Sequence, residues 1–123
     1  MRVLLVEDDP TTSKSIEMML TSANLNVYTT DLGEEGIDLA KLYDYDLILL
    51  DINLPDMNGH EVLRWIRNDA NASDLPVIVL SGHPLVGEYE EMFHLGVDAH
   101  FKKSEGLSAL YEKVDSVLRP TPH

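Results

Sequence analysis

Four groups of polar residues stand where short apolar runs stop, and their types suit a site that handles a metal ion and phosphate. Glu7-Asp8-Asp9 follows the run at residues 3–6, and Asp51 follows 47–50. Ser81 follows 77–80, and Lys102-Lys103 follows a poorer run at 99–101. Carboxylates brought together cannot stay charged unaided, since a like-charged pair ~4 Å apart repels by roughly 4 kcal/mol at an effective dielectric near 20. Protons or a cation must relieve this, and an all-oxygen set such as Glu7, Asp8 and Asp51 suits Mg²⁺ or Mn²⁺. With one divalent ion and one lysine ammonium, the three carboxylates reach neutrality. An incoming phosphoryl group would then meet a metal, an ammonium and the Ser81 hydroxyl, the parts needed to transfer it to a carboxylate nucleophile. Taken singly, each group has an ordinary reading: a solvated acidic turn capping a helix, a loop aspartate, a serine-glycine turn, an exposed lysine pair. Their shared position at strand ends singles them out.

The runs themselves supply that position. Stretches of four apolar residues without alternation, at 3–6, 47–50 and 77–80, suit strands buried on both faces, as in a parallel sheet. Weaker strands are expected at 26–30 and 99–101. Amphipathic stretches lie between them. Ile16, Met19, Leu20 and Ala23 share a face behind a capping Asp9-Pro10, and Ile37 and Ala40 recur behind Leu32-Gly33. Val62, Leu63 and Ile66 follow Gly59, a fourth helix carries Val86, Tyr89 and Phe93, and the last stripe is Leu107, Leu110, Val114 and Val117. Gly87 inside the fourth helix costs it ~1 kcal/mol relative to alanine. Five strand–helix pairs of about 25 residues each predict an α/β fold, flavodoxin-like and doubly wound, with a five-stranded parallel sheet of order 2-1-3-4-5. In that order strands one and three flank the point where strand order reverses, where ligands bind beyond the carboxyl ends. Glu7, Asp8 and Asp51 should then share one crevice.

Composition narrows the function classes. At 123 residues with 44% hydrophobic content, the chain is expected to form one domain over 1–119, with 120–123 a frayed, proline-interrupted tail. Its net charge of −13 repels phosphate backbones, so direct nucleic-acid binding is not expected. The absence of cysteine removes disulfides, thiolate zinc sites and cysteine nucleophiles. The longest apolar runs fall far short of a bilayer span, so no membrane partner is expected and a cytoplasmic location is. His60, His83, His94, His100 and His123 show none of the close spacings of zinc sites. Trp65, between Arg64 and Ile66, is expected to pack half-buried, and Met18 and Met19 to fill core.

These residues closely resemble the receiver domain of two-component response regulators. The matching segments are Leu5-Val6-Glu7-Asp8-Asp9-Pro10, Asp46-Leu47-Ile48-Leu49-Leu50-Asp51, Leu54-Pro55-Asp56-Met57-Asn58-Gly59, Val79-Leu80-Ser81-Gly82, and Gly96 followed by Lys103. Residues 1–59 also resemble the receivers of CtrA-type cell-cycle transcriptional regulators, a likeness not expected to continue into the second half. The resemblance implies that Asp51 is the phosphoacceptor, taking a phosphoryl group from a phosphohistidine on a histidine kinase or phosphotransfer protein. It implies Mg²⁺ (or Mn²⁺) held by Asp8, Asp51 and the Asn53 backbone carbonyl, with Glu7 acting largely through water. Lys103 rather than Lys102 matches the family lysine, Ser81 would bond the phosphoryl oxygen, and His100 would occupy the aromatic switch position. Asn53 and His83 sit where receivers tune the lifetime of the acyl phosphate.

Two departures stand out: Ser104 follows Lys103 where the family usually has proline, and Asp98-Ala99 breaks an aspartate pair common in one dimerising subfamily. The expected function is a stand-alone receiver in a two-component or phosphorelay system. It would act only on itself rather than as a turnover enzyme, and signal to a downstream protein through helix 4, strand 5 and helix 5. The alternatives are the receiver part of a longer DNA-binding response regulator and a pseudo-receiver that is never phosphorylated. A haloacid dehalogenase-like phosphatase is disfavoured because Asp51-Ile52-Asn53 lacks a second aspartate, and a Rossmann dehydrogenase because the glycine fingerprint is missing.

Overall fold

The computed structural model describes residues 1–69, 72–82 and 96–119. Strands β1 (Arg2–Val6), β2 (Asn26–Thr30), β3 (Leu47–Asp51), β4 (Val77–Ser81) and β5 (Ala99–Lys102) form one parallel sheet of order β2-β1-β3-β4-β5. Helices α1 (Pro10–Ser22), α2 (Gly33–Leu42) and α3 (Gly59–Asn68) alternate with the strands, and α4 (Leu107–Leu118) closes the described chain. This α4 is the fifth helix expected from sequence. The expected fourth helix, with Val86, Tyr89 and Phe93, lies outside the described residues, as do His83, His94 and the tail at 120–123.

The unbroken apolar runs became the three central strands because both faces of each are covered. Leu4, Val6, Ile48, Leu50, Val77 and Val79 point to one layer, where α2 and α3 add Ile37, Val62, Leu63 and Ile66. Val3, Leu5, Leu47, Leu49, Ile78 and Leu80 point to the other, against Ile16 and Leu20 of α1 and Leu110 and Val114 of α4. The period-two alternation of the pleat thus feeds two cores rather than one core and solvent. β2 reads more weakly because it is an edge strand: Asn26, Tyr28 and Thr29 are exposed and Thr30 is buried.

Helix starts are specified locally, with one exception. The Asp9 carboxylate accepts the Thr12 N–H at 3.2 Å and Pro10 opens α1, as the Asp9-Pro10 pair predicts. Asn58 caps α3 through the Glu61 N–H at 3.0 Å. Gly106, at φ +92°, lets the 3-10 turn Lys103–Glu105 swing into α4, a conformation that an L side chain rarely adopts. For α2 the N-cap position holds Leu32, which offers no acceptor. Asp56, in the β3–α3 loop, supplies it instead, taking the Gly33 and Glu34 N–H groups at 2.8 and 2.9 Å. Those bonds keep the Asp56 carboxyl below its ordinary range. The Lys103–Ser104 peptide is trans, as are all described peptide bonds.

Candidate functional site

Register places the acidic residues. β1 and β3 are neighbours with Val6 opposite Leu50, so the residues one step further on, Glu7 and Asp51, emerge side by side at the sheet's carboxyl edge. Asp51 and Ser81 are the last residues of their strands, and Lys103 is the first residue beyond β5. The topology therefore sends four strand ends to one crevice, and Asp8 joins it from the start of the β1–α1 turn. Of the acidic triplet, only Asp9 turns away to cap α1.

Each of Glu7, Asp8 and Asp51 offers a carboxylate oxygen, and these atoms lie within 4.8 Å of one another. Lys103 Nζ reaches across to donate to Glu7 Oε1 at 2.5 Å and Asp51 Oδ2 at 3.4 Å. Asp51 is 3% exposed and is also held by the Asn53 N–H, which donates to Oδ1 at 3.2 Å. Lys102 is exposed, and its N–H instead bonds Glu105 at 2.7 Å. The Asn53 side chain is exposed at the rim.

Charge crowding has visible consequences. Burial, and then the closeness of the Asp51 carboxylate, push the Glu7 carboxyl up to about 8. Asp8 is raised for the same reasons, in the same order, though it is far more open to solvent. Burial alone would lower the Lys103 ammonium, but its bond to Glu7 and the charge of Asp51 outweigh that and raise it. Among the described residues Glu7 Oε2 is buried with no hydrogen-bond partner, and a buried acceptor left so costs roughly 1–3 kcal/mol. An all-oxygen donor set with one orphaned buried acceptor fits a hard divalent ion such as Mg²⁺.

Ser81 is buried, and its Oγ lies 2.7 Å from His100 Nε2. Burial lowers the His100 imidazole below its ordinary value, so the pair is a neutral hydroxyl–imidazole contact at pH 7. Gly59 fastens α3 to this end of β3. A Cβ there would lie 2.8 Å from the Asp51 carbonyl oxygen and 2.9 Å from Ile52 Cα.

The structure therefore brings together Glu7, Asp8, Asp51 and Lys103, with Asn53 beside them and Ser81 and His100 paired at the next strand ends. His83 lies outside the described residues. The direct Glu7–Lys103 bond was not foreseen, since the two are 96 residues apart and nothing local marks the pairing. Other expectations need correction. Met18 is exposed, and Trp65 is 55% exposed rather than half-buried, because its position on α3 faces away from the sheet.

Comparison with known proteins agrees with this geometry. The chain matches the family described as the response regulator receiver domain over residues 3–115. It is 49% identical over 119 residues to the cell cycle response regulator CtrA of Brucella ovis and of Brucella abortus. That alignment covers 97% of this chain and 50% of each relative, so the chain spans about half the length of the curated relatives it matches. The likeness to CtrA runs well past Gly59, correcting the expectation that it would stop there. Among solved structures, the receiver domain of a sensor histidine kinase from Pseudomonas aeruginosa, with a magnesium ion coordinated in its active-site cleft, superposes with a TM-score of 0.87. It shares 30% identity, covering 95% of this chain and 96% of that one. A phosphorylated cyanobacterial phytochrome response regulator, RcpA, gives 0.84 at 28% identity, covering 99% and 96%.

Proposed function

We propose, from the premise that this chain belongs to the response regulator receiver domain family, that it accepts a phosphoryl group on Asp51 from a phosphohistidine of a histidine kinase or phosphotransfer protein. The observation that carries this reading is the convergence of Glu7, Asp8, Asp51 and Lys103 at the sheet's carboxyl edge. An Asp51 carboxylate oxygen forms the new O–P bond as the P–N bond of the donor breaks, and the imidazole leaves with the bonding pair and takes a proton. Asn53 N–H and Lys103 Nζ hold the carboxylate in place, one bond to each oxygen.

Asp8, Asp51 and the Asn53 carbonyl would hold Mg²⁺ or Mn²⁺, with Glu7 acting through water. The ion would supply charge neutralisation for the phosphoryl oxygens. Lys103 would move from Asp51 toward a phosphoryl oxygen, since the modified carboxylate loses its own charge and presents a group near −2. Ser81 would turn from His100 toward the same group. His100 would then follow, altering the face formed by β5 and α4, where a downstream protein reads the change. Asn53 and His83 would set how fast water returns Asp51 to the free carboxylate. The domain, residues 1–119, would act on itself alone rather than turn over a substrate.

A second reading makes this receiver the regulatory part of a longer DNA-binding response regulator, and the CtrA likeness favours it. With a net charge of −13 the receiver would itself repel DNA, and contact would fall to another part. Among the described residues no helix is long and apolar enough to cross a membrane, and we place the chain in the cytoplasm, where histidine kinases present their phosphohistidines. The test is intact mass after incubation with a small phosphodonor and Mg²⁺. Wild type should gain one phosphoryl group and Asp51→Asn none, and an equal gain on both proteins would exclude Asp51 as the acceptor.

A further inference from the structure

Trp65 is the only tryptophan of the chain, and it stands largely exposed on α3. Its ring lines a groove of about 400 Å³ between α2 and α3, floored by Ile37 and Met57 and edged by Glu34, Asp38 and Glu61. The ring face already carries a cation: Lys41 Nζ lies 5.1 Å from the ring centroid, within the range of cation–π attraction. Glu34, Asp38 and Glu61 form no ion pair among the described residues. Asp56, at the end of the groove, is already engaged in capping α2. The groove thus joins an aromatic anchor, an apolar floor and a rim that stays acidic on balance with Lys41 counted, on the sheet face opposite α1 and α4.

We propose that this α2–α3 groove docks a basic amphipathic segment of a partner protein. An apolar side chain of that segment packs on Trp65 and Met57, while lysine or arginine side chains meet Glu34, Asp38 and Glu61. Charge selects this occupant. A second copy of a chain carrying −13 repels the rim, as does any acidic segment. The exposed tryptophan is the residue type most enriched among binding hot spots. The surface is independent of phosphorylation at Asp51, and neither reading fails with the other.

Trp65 is its own reporter. The full chain is titrated with a synthetic amphipathic helix of leucine and lysine, and with its counterpart bearing glutamate for lysine. The expected result is a saturable blue shift of tryptophan emission with the lysine peptide alone, weakening as salt rises. Asp38→Lys should weaken binding by roughly tenfold. Glu112→Lys, which makes the same charge change at an exposed position of α4, should alter it by less than about twofold. Trp65→Ala, followed by calorimetry, should bind roughly tenfold more weakly. The proposal is overturned if the lysine peptide gives no saturable shift or the glutamate peptide gives the same one. It is equally overturned if Asp38→Lys and Glu112→Lys weaken binding alike, or if Trp65→Ala binds as wild type does.

Discussion

Replacing Asp8 with asparagine should make the metal-free protein more stable, against the usual sign for a substitution at a functional site. The carboxylate oxygens of Asp8 and Asp51 lie within 4.8 Å. Two unit charges at that separation repel by roughly 3.5 kcal/mol at an effective dielectric of 20 and by about 0.9 kcal/mol in bulk water. Asp8 is exposed, so the lower end governs. Glu7, raised to about 8, is mostly protonated at pH 7 and adds little further repulsion. The expected gain is therefore about 1 kcal/mol, a rise of roughly 3–6 °C in Tm for a domain of this size. Magnesium should reverse the order. Wild type gains RT ln(1 + [Mg²⁺]/Kd), about 2.7 kcal/mol at a hundredfold excess over Kd, whereas Asp8→Asn has lost a ligand and gains far less. Differential scanning fluorimetry at pH 7, with EDTA and with graded MgCl₂, reads both limits, and the two Tm curves should cross. A variant less stable than wild type in EDTA, or one stabilised by Mg²⁺ as strongly as wild type, would refute the reasoning.

Other consequences follow from neighbouring contacts. The Mg²⁺ affinity of the wild type, measured by calorimetry, should tighten between pH 6 and pH 8 and level off above, because the ion must expel the proton that burial holds on Glu7 up to about 8. The linked stability has the opposite sign. In EDTA the Glu7 contribution is fullest below its ordinary value of 4.5 and is lost as pH rises to about 8, so Glu7→Gln should flatten urea midpoints across that window. Gly59→Ala should cost roughly 1–3 kcal/mol in chemical denaturation, since backbone atoms of Asp51 and Ile52 block the methyl group, and should slow phosphorylation by displacing Asp51. Asp56→Ala removes the carboxylate that caps α2 and should cost about 1 kcal/mol, with amide exchange rising first at Gly33 and Glu34.

The parts of this molecule that the sequence made legible are those governed by local pattern. Leu47 to Leu50 announced a doubly covered strand because every residue is apolar, and Asp9-Pro10 announced a helix start because cap and first-turn proline are adjacent. The strand ends then located Glu7, Asp8, Asp51, Ser81 and Lys103 without any contact being known. What stayed hidden was long-range. The Asp56 cap of α2 spans 23 residues, the Ser81–His100 bond joins two strands, and the Glu7–Lys103 bond spans 96 residues. Such pairings depend on where whole elements dock, and no spacing rule encodes them. Trp65 was misjudged for a related reason. Its helix face is decided by Val62, Leu63 and Ile66, which take the core and turn the indole outward.

Chemical trapping of the phosphorylated site tests the central claim most directly. The protein is treated with a small phosphodonor and Mg²⁺, reduced with borohydride, digested and sequenced by mass spectrometry. An acyl phosphate on Asp51 is reduced to the alcohol, so homoserine should appear at position 51 and nowhere else, and only when Mg²⁺ is present. Homoserine at position 8 instead, or unreduced Asp51 in protein that carries a full phosphoryl group, would contradict the account.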